Sequence, residues 1–409
     1  MKRLLILFLF FTSCSQKQQS QIEINFDHLF KLTETVTLDG KECDIIHIYS
    51  EYPDYKWVDA SSEGIACVDD AARAVVLYVR YYEITHDETV LSRAKRLLNF
   101  ILFMQADDGE FYNFIDKDLH INTTGKTSRK IFGFWAVRAY WAIGIGFRVF
   151  KEKDPDYAAE LETAFLKCQH PLNILMQHYG KYELRAGKRY PQWLIYKTGS
   201  DAAATLVLAL VEYMKCEQNQ HMAEYATKLA EGIMDMQVHD DSKRNGAFLS
   251  WPDTWHAWGN VQTLALASLG AFGNPRFIHS AQKEADNYYA YLLRDGMKSS
   301  WRYSQNEMKE FPQIAYDIRC MAVGLLRLAD ATDNTKYSHM AGHAAAWLVG
   351  KNAAKQMMYD SHSGRCLDGI NDSSSVNLNS GAESTIEALF TLVEISNHSI
   401  ARNILEQNK

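Results

Sequence analysis

Six times along the chain a polar loop gives way to a helix that is apolar nearly all round. These starts fall at Asp70, Phe134, Asp201, Gly259, Asp317 and Glu383, with spacings of 64, 67, 58, 58 and 66 residues. So long a period does not suit a solenoid of short helix pairs; it suits two long helices and a loop per repeat. Apolar stripes at helical spacing predict the first helices of the pairs over 66–82, 131–150, 202–213, 261–271, 314–328 and 382–395. The second helices fall over 91–105, 158–179, 223–236, 277–293, 337–349 and 400–405. They carry charge along one face, as in Ser92-Arg-Ala-Lys-Arg96. A helix with no polar face is buried on all sides. The expectation is an all-α fold, an (α/α)6 toroid with six inner and six outer helices. An open solenoid would expose its ends and need polar caps. The stretches Gln105–Phe111 and Gln237–Phe248 read as short extended excursions between an outer helix and the next inner one.

The chain has 409 residues, 47% hydrophobic and 12% aromatic, enough for a large buried core. Residues 55–409 are taken as the toroid. A net charge of −7 with no basic stripe argues against a nucleic-acid partner. Ahead of the toroid, Lys2-Arg3, the apolar run Leu4–Phe11 and Thr12-Ser13-Cys14 resemble a bacterial lipoprotein signal. That resemblance implies removal of residues 1–13 and lipidation of Cys14. It also implies a lipid-anchored protein of the bacterial cell envelope whose only membrane contact is that anchor. Residues 14–54 are then a tether and N-terminal segment. The other six cysteines form no C-x-x-C pair, so neither zinc nor any other metal or cofactor is expected.

In a toroid the inner helices run parallel, so their six N-terminal mouths open into one funnel. The first mouth holds Asp69, Asp70 and Arg73, and the second Arg129, Trp135 and Arg138. The third holds Tyr196, Lys197, Ser200 and Asp201. The fourth holds Trp251, Asp253, Trp255, His256, Trp258 and Asn260. The fifth holds Tyr316, Asp317 and Arg319, and the sixth Asp368, Asn377, Asn379, Ser380 and Glu383. Aromatic faces stack on sugar C–H faces, while Asp, Asn and Arg bond hydroxyls, so a carbohydrate substrate is expected. Each Asp or Ser alone is an ordinary helix cap. Two adjacent aspartates at one mouth exceed what a cap needs, and like charges repel. Ring closure sets the first mouth beside the sixth. Glycosidic cleavage needs one acid and one opposed carboxylate. Glu383 is assigned the acid role and Asp69 or Asp70 the base role, with the reverse left open. Arg73, Trp135, Arg138, Asp201, Trp255, His256, Trp258, Tyr316, Asp317, Arg319, Asp368 and Asn379 are expected to bind substrate, and Glu387 to support Glu383 one turn away.

The pattern resembles the six-hairpin glycosidase superfamily. Trp347-Leu-Val-Gly-Lys-Asn352, Tyr359-Asp360, Gly364-Arg-Cys-Leu-Asp-Gly369 and Asn379-Ser-Gly-Ala-Glu-Ser-Thr385 are similar to a bacterial group of such toroids. That group is often encoded near, or fused to, glycosyltransferases and mannoside phosphorylases. Its N-terminal Asp-Asp-x-x-Arg element is matched by Asp69-Asp70-Ala-Ala-Arg73. The Trp347–Asn352 run also resembles the last part of family 9 glycoside hydrolases, which pair early aspartates with a late glutamate and invert. Their Asp-Ala-Gly-Asp element is replaced here by Val68-Asp-Asp-Ala, so cellulase activity is not implied. The leading expectation is an inverting glycoside hydrolase. A polysaccharide lyase or unsaturated-glucuronyl hydrolase is the alternative, kept open by Tyr316, His256, Arg138 and Arg319. A non-catalytic glycan-binding lipoprotein is the third.

Overall fold

The computed structural model describes residues 23–59, 63–185, 187–305 and 307–409. The signal segment and Cys14 lie outside the described residues. A short helix, α1 (Asp27–Leu32), precedes the six hairpins. The first hairpin is α2 (Val68–Thr85) and α3 (Glu88–Phe103). The second is α4 (Phe134–Lys153) with an outer helix broken into α5 (Pro155–Leu166) and α6 (Gln169–Met176). The third is α7 (Ser200–Met214) and α8 (Gln220–Asp235). The fourth is α9 (Gln262–Gly270), with an outer helix made of α10 (Pro275–Lys283), a π turn (Glu284–Tyr289) and α11 (Ala290–Asp295). The fifth is α12 (Ala315–Thr332) and α13 (Thr335–Ala345), and the sixth α14 (Ala382–Ser396) and α15 (Ser399–Gln407).

The ring closes. Helix α2 packs on α4, α4 on α7, α7 on α9, α9 on α12, α12 on α14, and α14 back on α2. Their sequences explain why these six lie inside. Every residue of α9 is buried, as is every residue of α7 before Met214. Small side chains permit the close approach. Gly144 of α4 packs so near α7 that a Cβ there would lie 2.9 Å from the Ala209 carbonyl oxygen. The outer helices keep one polar face, and each packs on its own inner partner.

The two sequence-predicted excursions are extended: Gln105 bridges Phe111 and Gln237 bridges Phe248, both antiparallel. Each holds a glycine with no room for a side chain, which puts a left-handed residue against the next outer helix. Gly109 has φ +84° and a Cβ there would sit 2.4 Å from the Lys167 carbonyl oxygen. Gly246 has φ +88° and meets the Lys283 carbonyl oxygen at the same distance. The π turn interrupts what the apolar spacing presents as one helix. It coincides with Glu284, a fully buried carboxyl that accepts from Phe248 N (3.0 Å) and Thr263 Oγ1 (2.8 Å).

The N-terminal segment is folded onto the toroid. Strands Thr33–Leu38 and Lys41–Ile46 pair antiparallel, and buried Asp44 takes a two-pronged bond from Arg96 of α3 (2.7 and 3.0 Å). A second hairpin, Tyr49–Glu51 with Lys56–Val58, lies over the start of α14. Ala382 N donates to the Ile48 carbonyl (2.9 Å), Ser380 N to the Ser50 carbonyl (3.2 Å), and Ser50 Oγ to the Ser380 carbonyl (2.9 Å). This segment therefore straps the seam between the first and sixth hairpins. No helix among the described residues is long and apolar enough to cross a membrane.

Substituting Gly109 by alanine adds both a clash and a left-handed strain. It should lower unfolding free energy by about 2–4 kcal/mol in urea titrations. Gly180 has φ +77° and nothing within 4 Å, so its alanine variant should lose only about 1 kcal/mol.

Candidate active site

Mouths one and six form the wall of a cavity of ≈ 430 Å³. Asp69, Asp70 and Cys67 come from the start of α2, Trp135 from α4, and Glu383 and Ser384 from α14. Asp368 and Gly381 come from the loop before α14. Asp69 and Asp70 occupy the first turn of α2, and Glu383 that of α14, where N–H groups are unpaired and favour negative charge.

Arg73, one turn along α2 and only 7% exposed, organises the carboxylates. Its Nη2 donates to Asp69 Oδ2 (3.1 Å) and its Nη1 to Glu383 Oε2 (2.6 Å). Nη1 also lies 3.2 Å from Glu387 Oε1. A second buried guanidinium, Arg138 of α4, pairs with the other oxygen of Asp69 and donates to the Tyr316 hydroxyl (2.7 Å). Tyr316 lies beneath three guanidinium groups, those of Arg73, Arg138 and Arg319, at 4.4–5.5 Å from its ring centre. Burial pushes its phenol up to about 12.

The adjacent aspartates differ in environment. For Asp69, burial favours the neutral form, but Arg138 and Arg73 outweigh it and hold the carboxyl below its ordinary range. Asp70 is 4% exposed, and its contacts include the Cys67 thiol, whose Sγ lies 3.3 Å from Oδ2. Burial raises it, Arg73 opposes, and the charges of Asp69 and Glu383 raise it further, to about 7. Asp368 is also raised, first by burial. The Gly381 N–H and Ser384 hydroxyl, both 2.7 Å from Oδ1, oppose that, and Glu383 adds to it. Glu383 keeps 44% of its side chain exposed.

Across the funnel, His256 is held rather than free. It stacks on Trp258 at 3.7 Å, its Nδ1 bonds the Trp258 carbonyl (2.6 Å), and Trp251 Nε1 donates to its Nε2 (3.2 Å). Asp201, with no exposed surface, sets Oδ2 3.2 Å from the same Nε2. Trp258 is 39% exposed and touches Phe134, which lies under Arg138. This cluster is linked to the carboxylates through Arg138, which lies over Phe134 and pairs with Asp69.

Of the twelve expected substrate ligands, only Trp135 and Asp368 line the cavity; Arg73, Arg138 and Tyr316 form the ion-pair array around its carboxylates, Asp201, His256 and Trp258 form a separate cluster, and the other four sit elsewhere. Trp255 is 1% exposed and stacks on Trp301 in the core. Asp317 caps its own helix by accepting from Ile314 N (3.0 Å); burial holds it well above the ordinary carboxylate range, with the Ile314 bond opposing and Glu383 adding. Arg319 is 3% exposed and pairs with Glu387, not with Asp317. Asn379 accepts from Tyr52 N (3.1 Å) and fastens the N-terminal hairpin. The sequence reading missed Ile48, Tyr49, Glu63, Asn113, Phe114 and Thr127, which also line the cavity. They come from turns, loops and very short strands without periodicity. Asn113 is 6% exposed, and its buried Oδ1 has no hydrogen-bond partner.

No protein-family model matches the chain, nor does any curated sequence. Solved structures do. The cellobiose 2-epimerase from Spirochaeta thermophila DSM 6192 superposes with a TM-score of 0.61 at 11% identity, over 89% of each chain. The GH76A alpha-1,6-mannanase from Salegentibacter sp. HEL1_6 gives 0.53 at 11% identity, over 92% of this chain and 95% of that one. The fold is that of the six-hairpin glycosidases. A GH family 9 endoglucanase, J30, shares this six-hairpin fold with a TM-score of 0.52 at 15% identity, over 86% of this chain and 73% of the other. The shared fold spans hydrolases and epimerases alike.

Two outcomes check this electrostatic picture. Asp69→Asn leaves Arg73 and Arg138 without their shared anion, and should cost about 3–5 kcal/mol in chemical unfolding. A carboxyl raised by folding, as Asp70 is, contributes stability below the ordinary carboxylate pKa that is lost as pH rises through about 7. Asp70→Asn should therefore gain stability relative to wild type between about pH 4 and pH 7, measured as the difference in unfolding free energy. A flat difference would contradict the buried state of Asp70.

Proposed function

We propose that this chain is a glycoside hydrolase acting on a neutral glycan, with Asp70 as general acid and Glu383 as general base. The observation that carries the reading is a pair of carboxyl groups in one cavity with opposite surroundings. Asp70 is buried and raised to about 7, whereas Glu383 is half-exposed and ion-paired with Arg73. A buried carboxyl held protonated across from a solvent-exposed, ion-paired one is an arrangement suited to an acid and a base. This takes the reverse assignment that the sequence left open, because Asp70 is the buried carboxyl and Glu383 the half-exposed one.

In the proposed step, Asp70 gives its proton to the glycosidic oxygen as the bond from that oxygen to the anomeric carbon breaks. Glu383 takes a proton from a water, whose oxygen bonds the anomeric carbon from the opposite face. One water is consumed and the configuration inverts. Asp69 stays ionised between two guanidinium groups, fixing Arg73 and through it Glu383. Trp135 and Tyr49 offer ring faces to the sugar.

The charge of the cavity supports a neutral substrate over a uronate. Among the described residues it is lined by Glu63, Asp69, Asp70, Asp368 and Glu383, and by no lysine or arginine. Arg138 and Arg319, which a uronate would need, are buried and committed to Asp69 and Glu387. The similarity to epimerases supports a second reading, in which the sugar is isomerised without loss of chain length. His256 is a poor base for it, since both ring nitrogens are engaged. The reading includes a lipid anchor at Cys14 that would hold the enzyme at the cell envelope. Labelled palmitate should enter the wild type and not Cys14→Ser.

Wild-type protein incubated with a panel of neutral oligosaccharides should release new reducing ends of inverted configuration, read by proton NMR. Asp70→Asn and Glu383→Gln should each lower turnover by about 10²–10⁴-fold. Turnover should fall as pH rises through about 7, where Asp70 loses its proton. Products of unchanged chain length would favour the epimerase reading. Full activity in both variants would sink the assignment.

A further inference from the structure

The first inner helix is capped by a thiol. Cys67 precedes α2, and its Sγ accepts from Asp70 N (3.4 Å). Serine, threonine, aspartate and asparagine dominate this position, because their oxygens accept well from the first turn. Sulfur accepts weakly. The same thiol donates back to Asp70, with Sγ 3.3 Å from Oδ2. Both bonds of the cap therefore go to the carboxyl assigned as the acid. The thiol is pinned there. Cys67 pairs with Phe114 in a short antiparallel ladder, and Val68 N donates to the Asn113 carbonyl (2.8 Å). Cys67 and Asp70 are buried alike, and both line the cavity.

The choice of sulfur has a chemical consequence. A hydroxyl in the same place would donate strongly to the carboxylate and favour its ionised form. A thiol donates weakly and behaves as a small hydrophobe. It also stays neutral, since burial holds it well above its ordinary range and the charges of Asp70 and Asp69 add to that. The groups facing Asp70 are Asp69 and Arg73 on its own helix, Glu383 of α14, and Tyr49, Glu63 and Asp368 around the cavity. Arg73 is the cation among them, and it is engaged by Asp69, Glu383 and Glu387. Among the described residues, no side chain but Cys67 donates a hydrogen bond to Asp70. Its effect, a lowering, comes after those of burial, Arg73, Asp69 and Glu383.

We propose that Cys67 is a positioning residue that keeps Asp70 in its proton-bearing form, by filling with a weak donor the place where an oxygen would stabilise the anion. The consequence for catalysis rests on the hydrolase reading, in which Asp70 is the acid. The proton linkage itself needs no substrate.

The test follows the unfolding free energy of the full protein, relative to its Asp70→Asn variant, between about pH 4 and pH 8. It is run with Cys67 intact and with Cys67→Ser in both members of the pair. With Cys67 intact, the contribution of Asp70 falls as pH rises and levels off at about pH 7. With Cys67→Ser it should level off about one pH unit lower, because the hydroxyl stabilises the anion. Cys67→Ala supplies no donor. It should lower the melting temperature through the lost cap and leave the levelling point where it was. On a cleaved substrate, the alkaline limb of kcat/KM should move down with Cys67→Ser by the same amount. An unchanged levelling point in Cys67→Ser overturns the proposal, as does an equal downward shift in Cys67→Ala. A shifted levelling point together with full turnover in Asp70→Asn defeats the hydrolase reading and leaves the proton linkage standing.

Discussion

Arg73 holds the molecule's most distant parts to one another. It stands on α2, and two of its partners, Glu383 and Glu387, stand on α14 at the other end of the chain. A guanidinium that is 7% exposed must be matched by anions close by, since an unpaired buried charge costs several kcal/mol. The match is made three ways, with Asp69 on its own helix and the two glutamates across the seam. A turn and more deeper, Arg80 of α2 repeats the pattern with buried Glu394 of α14. Ring closure is therefore electrostatic as well as apolar. The fork of Arg73 also sets where the site's carboxylates can be, so the fold and the candidate chemistry rest on one side chain.

The neighbours follow from that constraint. Asp69 is ionised because two guanidinium groups need it, and Asp70, facing the other way beside the Cys67 thiol, is left without an equivalent partner. Two adjacent residues of one helix turn thus acquire opposite tendencies. The raised state of Asp70 comes from burial and from the charges gathered by Arg73, so its acidity is a by-product of the ion-pair array.

Much of this was legible in the sequence, and the reasons are specific. Inner helices such as α7 and α9 read as buried because they lack a polar face, and their even spacing gives the hairpin count. From closure, the meeting of Asp69 and Asp70 with Glu383 follows without coordinates. What stayed hidden depends on direction or on distant partners. Trp255 lies in a three-residue strand, and alternation turns it inward onto Trp301; nothing local tells which way. Asn379 bonds Tyr52, 327 positions away. Arg319 turns to Glu387 where Asp317 is nearer in sequence. Tyr49 and Ile48 come from a hairpin with strands of three residues, too short to leave a period.

The seam also fixes when the site comes into being. Its defining ion pair joins residues separated by 310 positions, and the strap over it joins residues 48–52 to residues 379–382. Closing so long a loop is entropically costly, and contacts of that range form late in folding. Synthesis proceeds from the N-terminus, and Glu383 belongs to the sixth hairpin of the ring, made after the other five. A nascent chain carrying five finished hairpins has an aspartate pair but no opposing glutamate. The carboxylates meet only when the sixth hairpin joins the first, so assembly of the site reports completion of the ring.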